Sequence, residues 1–212
     1  MIENVLTPSE AVAFVKQTLA LGQDEIRGFL KPKLKPNRFG GDLYYPVKKY
    51  MCYGLYWDPR TYFYEETLPG TKTKPFAIPD LLQTLANTWV EKLFPHHGQN
   101  CRFDSCLVNY YSKDETGKDS KLSLHVDKEE KDKVFPVIGL SLGSTAKFVF
   151  EDGRGVMQEL LIPDRSLYLF GDSMRLMRHG VKNVLSGTLP PIYAADLLMK
   201  ERLNFTLRKV NL

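Results

Sequence analysis

The sequence holds only three cysteines, Cys52, Cys101 and Cys106, among 212 residues. An odd number cannot all pair within one chain, and their spacing matches no zinc motif. We therefore expect three reduced thiols in a reducing compartment: an intracellular protein, cytoplasmic or, in a eukaryote, nuclear. No apolar stretch approaches the roughly 20 residues of a membrane span. Residues 1–10 lack both the basic start and the apolar run of a secretory signal. Internal repeats and low-complexity tracts are absent as well, so the length fits one domain, or a core with an elaborated N-terminal extension. Strong charge is missing too, because the net value of +4 is too mild to point to nucleic acid by itself. What is present, 43% hydrophobic and 25% charged residues, suits a globular chain that can bury a full core.

The charge is unevenly spread. Residues 31–74 carry nine basic side chains (Lys31, Lys33, Lys35, Arg38, Lys48, Lys49, Arg60, Lys72, Lys74) against four acids (Asp42, Asp58, Glu65, Glu66). The same window holds ten of the 25 aromatics: Phe39, Tyr44, Tyr45, Tyr50, Tyr53, Tyr56, Trp57, Tyr62, Phe63 and Tyr64. Cations that follow phosphates and rings that stack on bases are what a single-stranded nucleic-acid surface needs. An aromatic-rich sheet with solvated lysines at its edges would read the same way.

Thr7-Pro8-Ser9-Glu10 is a capping box with proline at the first helical position, and it opens an amphipathic helix ending near Leu21. A Pro- and Lys-rich stretch, 31–37, interrupts regular structure. Strand-like aromatic segments follow at 49–56 and 61–64. A second helix is expected over 78–93, with Leu81, Leu82, Leu85, Trp89 and Leu93 on its apolar face. After Pro95 short strand candidates recur with turns between them: 106–111, 121–126, 134–142, 146–150, 156–162, 167–170, 178–184 and 203–210. That spacing suggests an antiparallel sandwich or barrel. The polar run 112–121 reads as a solvated hairpin loop.

The four histidines can be weighed one by one. His96 and His97 are neighbours beside Pro95 and Gly98, which predicts surface residues on a loop, because adjacent side chains rarely point at one metal. In Leu122-Ser123-Leu124-His125-Val126-Asp127, the two-residue period of a strand puts His125 and Asp127 on one face. His179 opens a later strand candidate. Two imidazoles and one carboxylate form the facial triad that suits non-haem Fe(II) and leaves three positions open. A His-x-Asp pair alone is a weak signal, since it is common at exposed strand ends. The segment 202–208 adds weight: Leu203, Phe205 and Leu207 share one face, while Arg202, Asn204, Thr206 and Arg208 share the other. That polar face belongs either in water or in a cavity, where a guanidinium fork can clamp a carboxylate.

The segments Leu107-Val108-Asn109-Tyr110-Tyr111, 122–130, 178–181 and 202–208, in this order and at this spacing, resemble the AlkB family, its bacterial base-repair enzymes above all. The likeness covers about 106–210 well. It reaches more loosely back to about residue 49, through Gly54-Leu55-Tyr56-Trp57. The resemblance implies a mostly β, α+β chain: a double-stranded β-helix (jelly roll) over 101–212, with N-terminal helices and a nucleotide-recognition lid in 1–100. It implies a dioxygenase that uses Fe(II), 2-oxoglutarate and O2 to demethylate N-alkylated bases such as 1-methyladenine and 3-methylcytosine in single-stranded DNA or RNA. The products would be formaldehyde, succinate and CO2. His125, Asp127 and His179 would be the catalytic metal ligands. Asn109, Tyr111 and Asn204 would bond the cosubstrate, with Arg208 on its distal carboxylate and Arg202 nearer the metal. Trp57 and His125 would sandwich a flipped base, with Tyr64 near its phosphate and Glu129 at the base edge. The implied protein is a monomer with a nucleic-acid partner and no membrane association.

Two departures from that family stand out. Glu129 replaces the aspartate expected two residues after Asp127, and the loop between Tyr111 and His125 is longer, with added charges at Lys113, Asp114, Glu115, Lys118 and Asp119. Two rivals stay open. An oxygenase of the same fold acting on a protein or small molecule keeps the triad and arginines without needing Trp57. A non-catalytic nucleic-acid-binding module keeps the fold without the iron, and the intact triad counts against it.

Overall fold

The structure, a computed structural model, describes residues 1–31, 48–97, 102–112, 120–131, 133–194 and 201–211. Outside these fall Lys33, Lys35, Arg38, Phe39, Asp42, Tyr44 and Tyr45 of the basic aromatic window, Cys101, and the charged residues of the 113–119 loop.

The fold is mostly antiparallel β. In chain order it comprises α1 (Pro8–Leu21), β1 (Lys48–Gly54), β2 (Tyr56–Trp57), β3 (Tyr64–Glu65), α2 (Asp80–Leu93), β4 (Ser105–Tyr111), β5 (Leu122–His125), β6 (Val137–Gly143) and β7 (Ala146–Glu151). Then follow β8 (Met157–Ile162), β9 (Ser166–Phe170), β10 (His179–Val184), α3 (Pro191–Ala194) and β11 (Arg202–Arg208), with 3-10 turns at Pro95–His97 and Asp172–Met174. The strands form a five-stranded sheet, β1-β4-β11-β6-β9, a four-stranded sheet, β5-β10-β7-β8, and the small ribbon β2-β3. This is the jelly roll expected from the sequence, and all eight strands expected after Pro95 are present within three residues at either end. The domain boundary drawn at residue 100 passes between β1 and its partner β4, which pair from Lys48↔Tyr111 to Gly54↔Ser105.

The polar side of β11 faces inward because its other side is taken. Leu203, Phe205 and Leu207 join Ala11, Phe14 and Val15 of α1 and Leu82, Ala86 and Val90 of α2 in one core on the outer face of the larger sheet. Phe14 and Phe205 meet with ring centroids 4.9 Å apart, and burying one such ring stabilises the fold by about 2–3 kcal/mol. Arg202, Asn204, Thr206 and Arg208 are therefore turned between the two sheets, and all four are buried. The capping box forms as expected: Thr7 N–H donates to Glu10 Oε2 at 2.8 Å, and Glu10 N–H donates to Thr7 Oγ1 at 3.3 Å.

Three expectations need correction. The apolar face of α2 centres on Leu82, Ala86 and Val90, with Leu81, Leu85 and Trp89 packed against the core at its flanks as expected, while Leu93, at the helix end, is exposed. The strand expected at 61–64 shrinks to Tyr64–Glu65, since Tyr62 adopts a left-handed φ of 65° that no strand accommodates. Residues 61–63 instead belong to a turn whose ends are tied by Asp58 N–H to the Phe63 carbonyl at 3.0 Å. The third concerns the aromatic window, whose described members divide. Tyr53 and Tyr56 are buried in the sheet cores as strand residues, Tyr50 is buried but also borders a cavity, and Trp57, Tyr62 and Tyr64 line that cavity. Cys52 and Cys106 are buried and in no disulfide. Among the described residues no helix is long and apolar enough to cross a membrane.

Gly139 on β6 gives a sensitive probe of this packing. A Cβ there would collide with the ring and hydroxyl of Tyr168 on the paired strand β9. Gly139→Ala is expected to cost about 1–3 kcal/mol, as overpacking does, and to break the Tyr168 O–H bond to Asn204 Oδ1 (3.0 Å). A thermal melt checks the first effect; an unchanged melting temperature would show that Tyr168 moves freely.

Candidate metal centre and cosubstrate pocket

His125, Asp127 and His179 converge. His125 ends β5 and His179 opens β10, and the two are direct partners across the ladder, with ring centroids 4.4 Å apart. Asp127 is not in the strand that the two-residue period implied. It lies just beyond the end of β5, and its carboxylate still reaches both rings: Oδ1 is 3.5 Å from His125 Nε2 and Oδ2 is 3.9 Å from His179 Nε2. Each imidazole is oriented from behind, His125 Nδ1–H donating to the Ser123 carbonyl (2.9 Å) and His179 Nδ1–H to that of Met177 (3.1 Å). Both Nε2 lone pairs are thereby aimed at the shared point, which is how metal-binding histidines are commonly prepared.

The electrostatics agree with that role. Burial would raise the Asp127 carboxyl, but Arg208 and the two imidazoles outweigh it and hold the group well below the usual carboxylate range. Burial pushes His179 down to about 4, against the pull of Asp127, so it stays neutral and keeps its lone pair at neutral pH.

Two buried residues outside the sequence-based set hold Asp127 in place. Arg175 donates to the Asp127 carbonyl (2.7 Å), the Phe135 carbonyl (2.7 Å) and Glu130 Oε2 (3.1 Å). Glu130 also lies 3.2 Å from Arg208, and Tyr64 O–H donates to its Oε1 at 2.6 Å. Tyr64, expected near an incoming phosphate, thus directs its hydroxyl inward to this network. No pattern in the sequence marks Arg175 or Glu130: a lone arginine between Met174 and Leu176 and an acid in a charged run both look like solvated residues.

The arginines of β11 divide the pocket. Arg208 donates through Nη2 and Nε to Asp127 Oδ2 at 2.8 and 3.1 Å. Arg202 is fully buried at the other end of the strand, its Nε on Ser141 Oγ (2.9 Å), its Nη2 on Asn204 Oδ1 (2.8 Å), and its guanidinium 5.0 Å from the Tyr111 ring centroid. Against the expectation that Arg202 stands nearer the metal, it is Arg208 that meets the candidate ligand Asp127. Arg208 stands at the metal end, because side chains six residues apart on one strand reach different depths of the fold. Arg202 Nη1 and Asn109 Oδ1 are buried without a protein hydrogen bond. A buried guanidinium donor left unpaired is costly, and a carboxylate of a bound small molecule would satisfy it.

Asn109, Tyr111, Asn204, Glu129, Trp57 and Tyr64 all border the one cavity of about 210 Å³ that contains the triad. Arg202 lies directly behind the cavity-lining Tyr111 and Asn204. Trp57 and Tyr62 meet edge-on at 6.0 Å, and Phe63 beside them is largely exposed.

Of the two histidines expected at the surface, His96 is exposed and His97 is not. The side chain of His97 is only 9% exposed, and both rings point at Asp172.

Two imidazoles and a carboxylate at one end of a jelly roll, with a buried cationic donor deeper in, define a non-haem metal centre built to take a small anionic cosubstrate. The chain belongs to the 2OG-Fe(II) oxygenase superfamily, which it matches over residues 1–208. It is 30% identical to the DNA N(6)-methyladenine demethylase ALKBH1C of Arabidopsis thaliana, over 99% of this chain and 48% of that protein. It is 35% identical to the alpha-ketoglutarate-dependent dioxygenase AlkB homolog of Caulobacter vibrioides, over 72% of this chain and 62% of the other. The solved structure of OsALKBH1 superposes with a TM-score of 0.80 at 27% identity, covering 98% of this chain and 95% of that one. The chain spans about half the length of the Arabidopsis relatives it matches. The superfamily's Fe(II), 2-oxoglutarate and O2 fit the donor set here: two imidazoles, an ionised carboxylate and a buried arginine donor without a protein partner.

Proposed function

We propose that the protein oxidatively demethylates N-methylated bases in nucleic acid. The observation that carries this reading is the shared cavity: Trp57, Tyr62 and Tyr64 form aromatic walls over the His125–Asp127–His179 centre. Flat aromatic walls suit a base taken out of its stack, because every base offers a π-face. Relatives from a plant and a bacterium carry names of the same chemical class.

In this reading His125, Asp127 and His179 hold Fe(II), and Arg202, Asn109, Tyr111 and Asn204 hold 2-oxoglutarate, Arg202 taking the distal carboxylate. Bound together with O2, these groups supply an oxidant that hydroxylates the methyl group, with succinate, CO2 and formaldehyde as products. The chain's own residues orient and exclude. Arg208, held by Asp127 and Glu130, keeps the carboxylate ligand ionised. Trp57 and His125 flank the base, and Glu129 presents an acceptor to its edge. Residues 1–100 act as the recognition part, and the β2–β3 ribbon serves as the lid. The partner is single-stranded DNA or RNA, engaged by a monomer.

Two substrate classes compete within this reading. Methylation at a Watson–Crick nitrogen, as in 1-methyladenine or 3-methylcytosine, gives a cation that Glu129 would favour. The Arabidopsis relatives are named for N6-methyladenine, a neutral exocyclic amine. Aerobic incubation with Fe(II), 2-oxoglutarate and single-stranded oligonucleotides carrying each base, followed by mass spectrometry, tests the proposal. The expected result is loss of one methyl group dependent on both additions. Trp57→Ala is expected to lower that activity by roughly 10–100-fold, since stacking on one ring is worth about 1–3 kcal/mol, while succinate formation without nucleic acid persists. Unchanged oligonucleotides with continuing succinate formation would favour a protein or small-molecule substrate.

A further inference from the structure

The second convergence of histidines lies apart from the cosubstrate pocket. His96 and His97 come from the 3-10 turn that ends α2, and Asp172 from the turn between β9 and β10. His96 Nε2 is 2.9 Å and His97 Nε2 3.5 Å from the same Asp172 Oδ1. All three potential donor atoms lie within 4.8 Å of one another.

A simple ion pair accounts for this arrangement poorly. One carboxylate oxygen can compensate one protonated imidazole, and a second protonated ring beside the first, with centroids 4.3 Å apart, would repel it. A divalent cation satisfies two neutral imidazoles and a carboxylate at once. With metal–ligand bonds of about 2.1 Å, tetrahedral donors stand about 3.4 Å apart, and the two measured separations bracket that value. The site is also partly built. His97 packs against Phe135, with centroids 5.2 Å apart, and its side chain is mostly buried. Asp172 holds a left-handed φ of 49°, a conformation that aspartate adopts more readily than most residues.

We propose that His96, His97 and Asp172 form a second divalent-metal site that takes a zinc-class ion, the type imidazole-rich sites favour. The fourth position is left to solvent, since His96 and Asp172 are exposed. An ion there ties the end of α2 to the β9–β10 turn. The turn bears directly on the pocket: Arg175 N–H donates to the Asp172 carbonyl at 3.0 Å, and the Arg175 side chain holds Asp127. The second site is thus structural, steadying the segment from which the first is positioned.

The test is metal content. Untagged, chelator-stripped protein is loaded with Zn2+, desalted and analysed for zinc per chain by mass spectrometry, for the wild type, Asp172→Asn and His96→Ala. Asparagine keeps the shape and tolerates the left-handed backbone, and His96 is exposed, so both variants are expected to melt at the wild-type temperature when metal-free. Each variant is expected to retain one zinc fewer than the wild type. Equal zinc in all three proteins would overturn the proposal and leave the cluster as an ion pair. If Asp172→Asn fails to fold, His96→Ala decides the question by the same count.

Discussion

Replacing Asp127 with alanine is expected to abolish oligonucleotide demethylation and 2-oxoglutarate turnover together, and to destabilise the metal-free protein. The two effects have different origins. Turnover is lost because the carboxylate is the one anionic member of the triad, and two imidazoles alone leave the metal poorly held. Stability is lost because Asp127 is buried and paired with Arg208 at 2.8 Å. Removing one partner of a buried pair costs about 3–5 kcal/mol, since the remaining charge is uncompensated. Glu130, 3.2 Å from Arg208, takes up part of that charge, so the lower end, about 3 kcal/mol, is expected. For a chain of this size that lowers the melting temperature by roughly 6–12 °C. A succinate assay and a thermal melt of chelator-treated protein check both. Retained turnover would remove His125–Asp127–His179 as the reactive centre.

The second large effect belongs to the arginine pair, whose members should fail differently. Arg202→Leu removes the buried donor that lacks a protein partner. Charge-assisted hydrogen bonds contribute about 1.5–3 kcal/mol, so the KM for 2-oxoglutarate is expected to rise by roughly 10–100-fold. Arg202→Lys should recover little of this, because a point charge does not reproduce the fork. Arg208→Lys should act on Asp127 instead, lowering metal retention more than cosubstrate affinity. Kinetics over a range of 2-oxoglutarate concentrations, with metal content measured in parallel, separates the cases. An unchanged KM in Arg202→Leu would make that residue a structural member of the Ser141–Asn204 network only. A fall in nucleic-acid turnover with the KM for 2-oxoglutarate intact, as expected of Trp57→Ala, identifies the opposite end of the cavity.

Some of this was determined by the sequence alone. The capping box at Thr7 and the strand-turn spacing after Pro95 depend on local backbone preferences, which neighbours in the chain control, and both appear where they were expected. The candidate ligand set was legible for a related reason. Histidine is rare here, and a His-x-Asp pair at a strand end, a later His and an Arg-flanked strand form a pattern whose parts are each short-range. The alternation in 202–208 likewise established which side chains share a face, though not which face meets water.

That choice belonged to the tertiary structure. The helices α1 and α2 cover the apolar side of β11 and force Arg202 and Arg208 inward, and helix-on-sheet packing is not encoded within seven residues. Asp127 was brought to the histidines from beyond its strand by Arg175, from 48 positions away in the chain. The order of the two arginines along the pocket, the inward hydroxyl of Tyr64, and the meeting of His97 and, across 76 positions, His96 with Asp172 have the same cause. Each is a contact between segments distant in sequence, made when burial of the apolar faces leaves their polar side chains nowhere else to find partners.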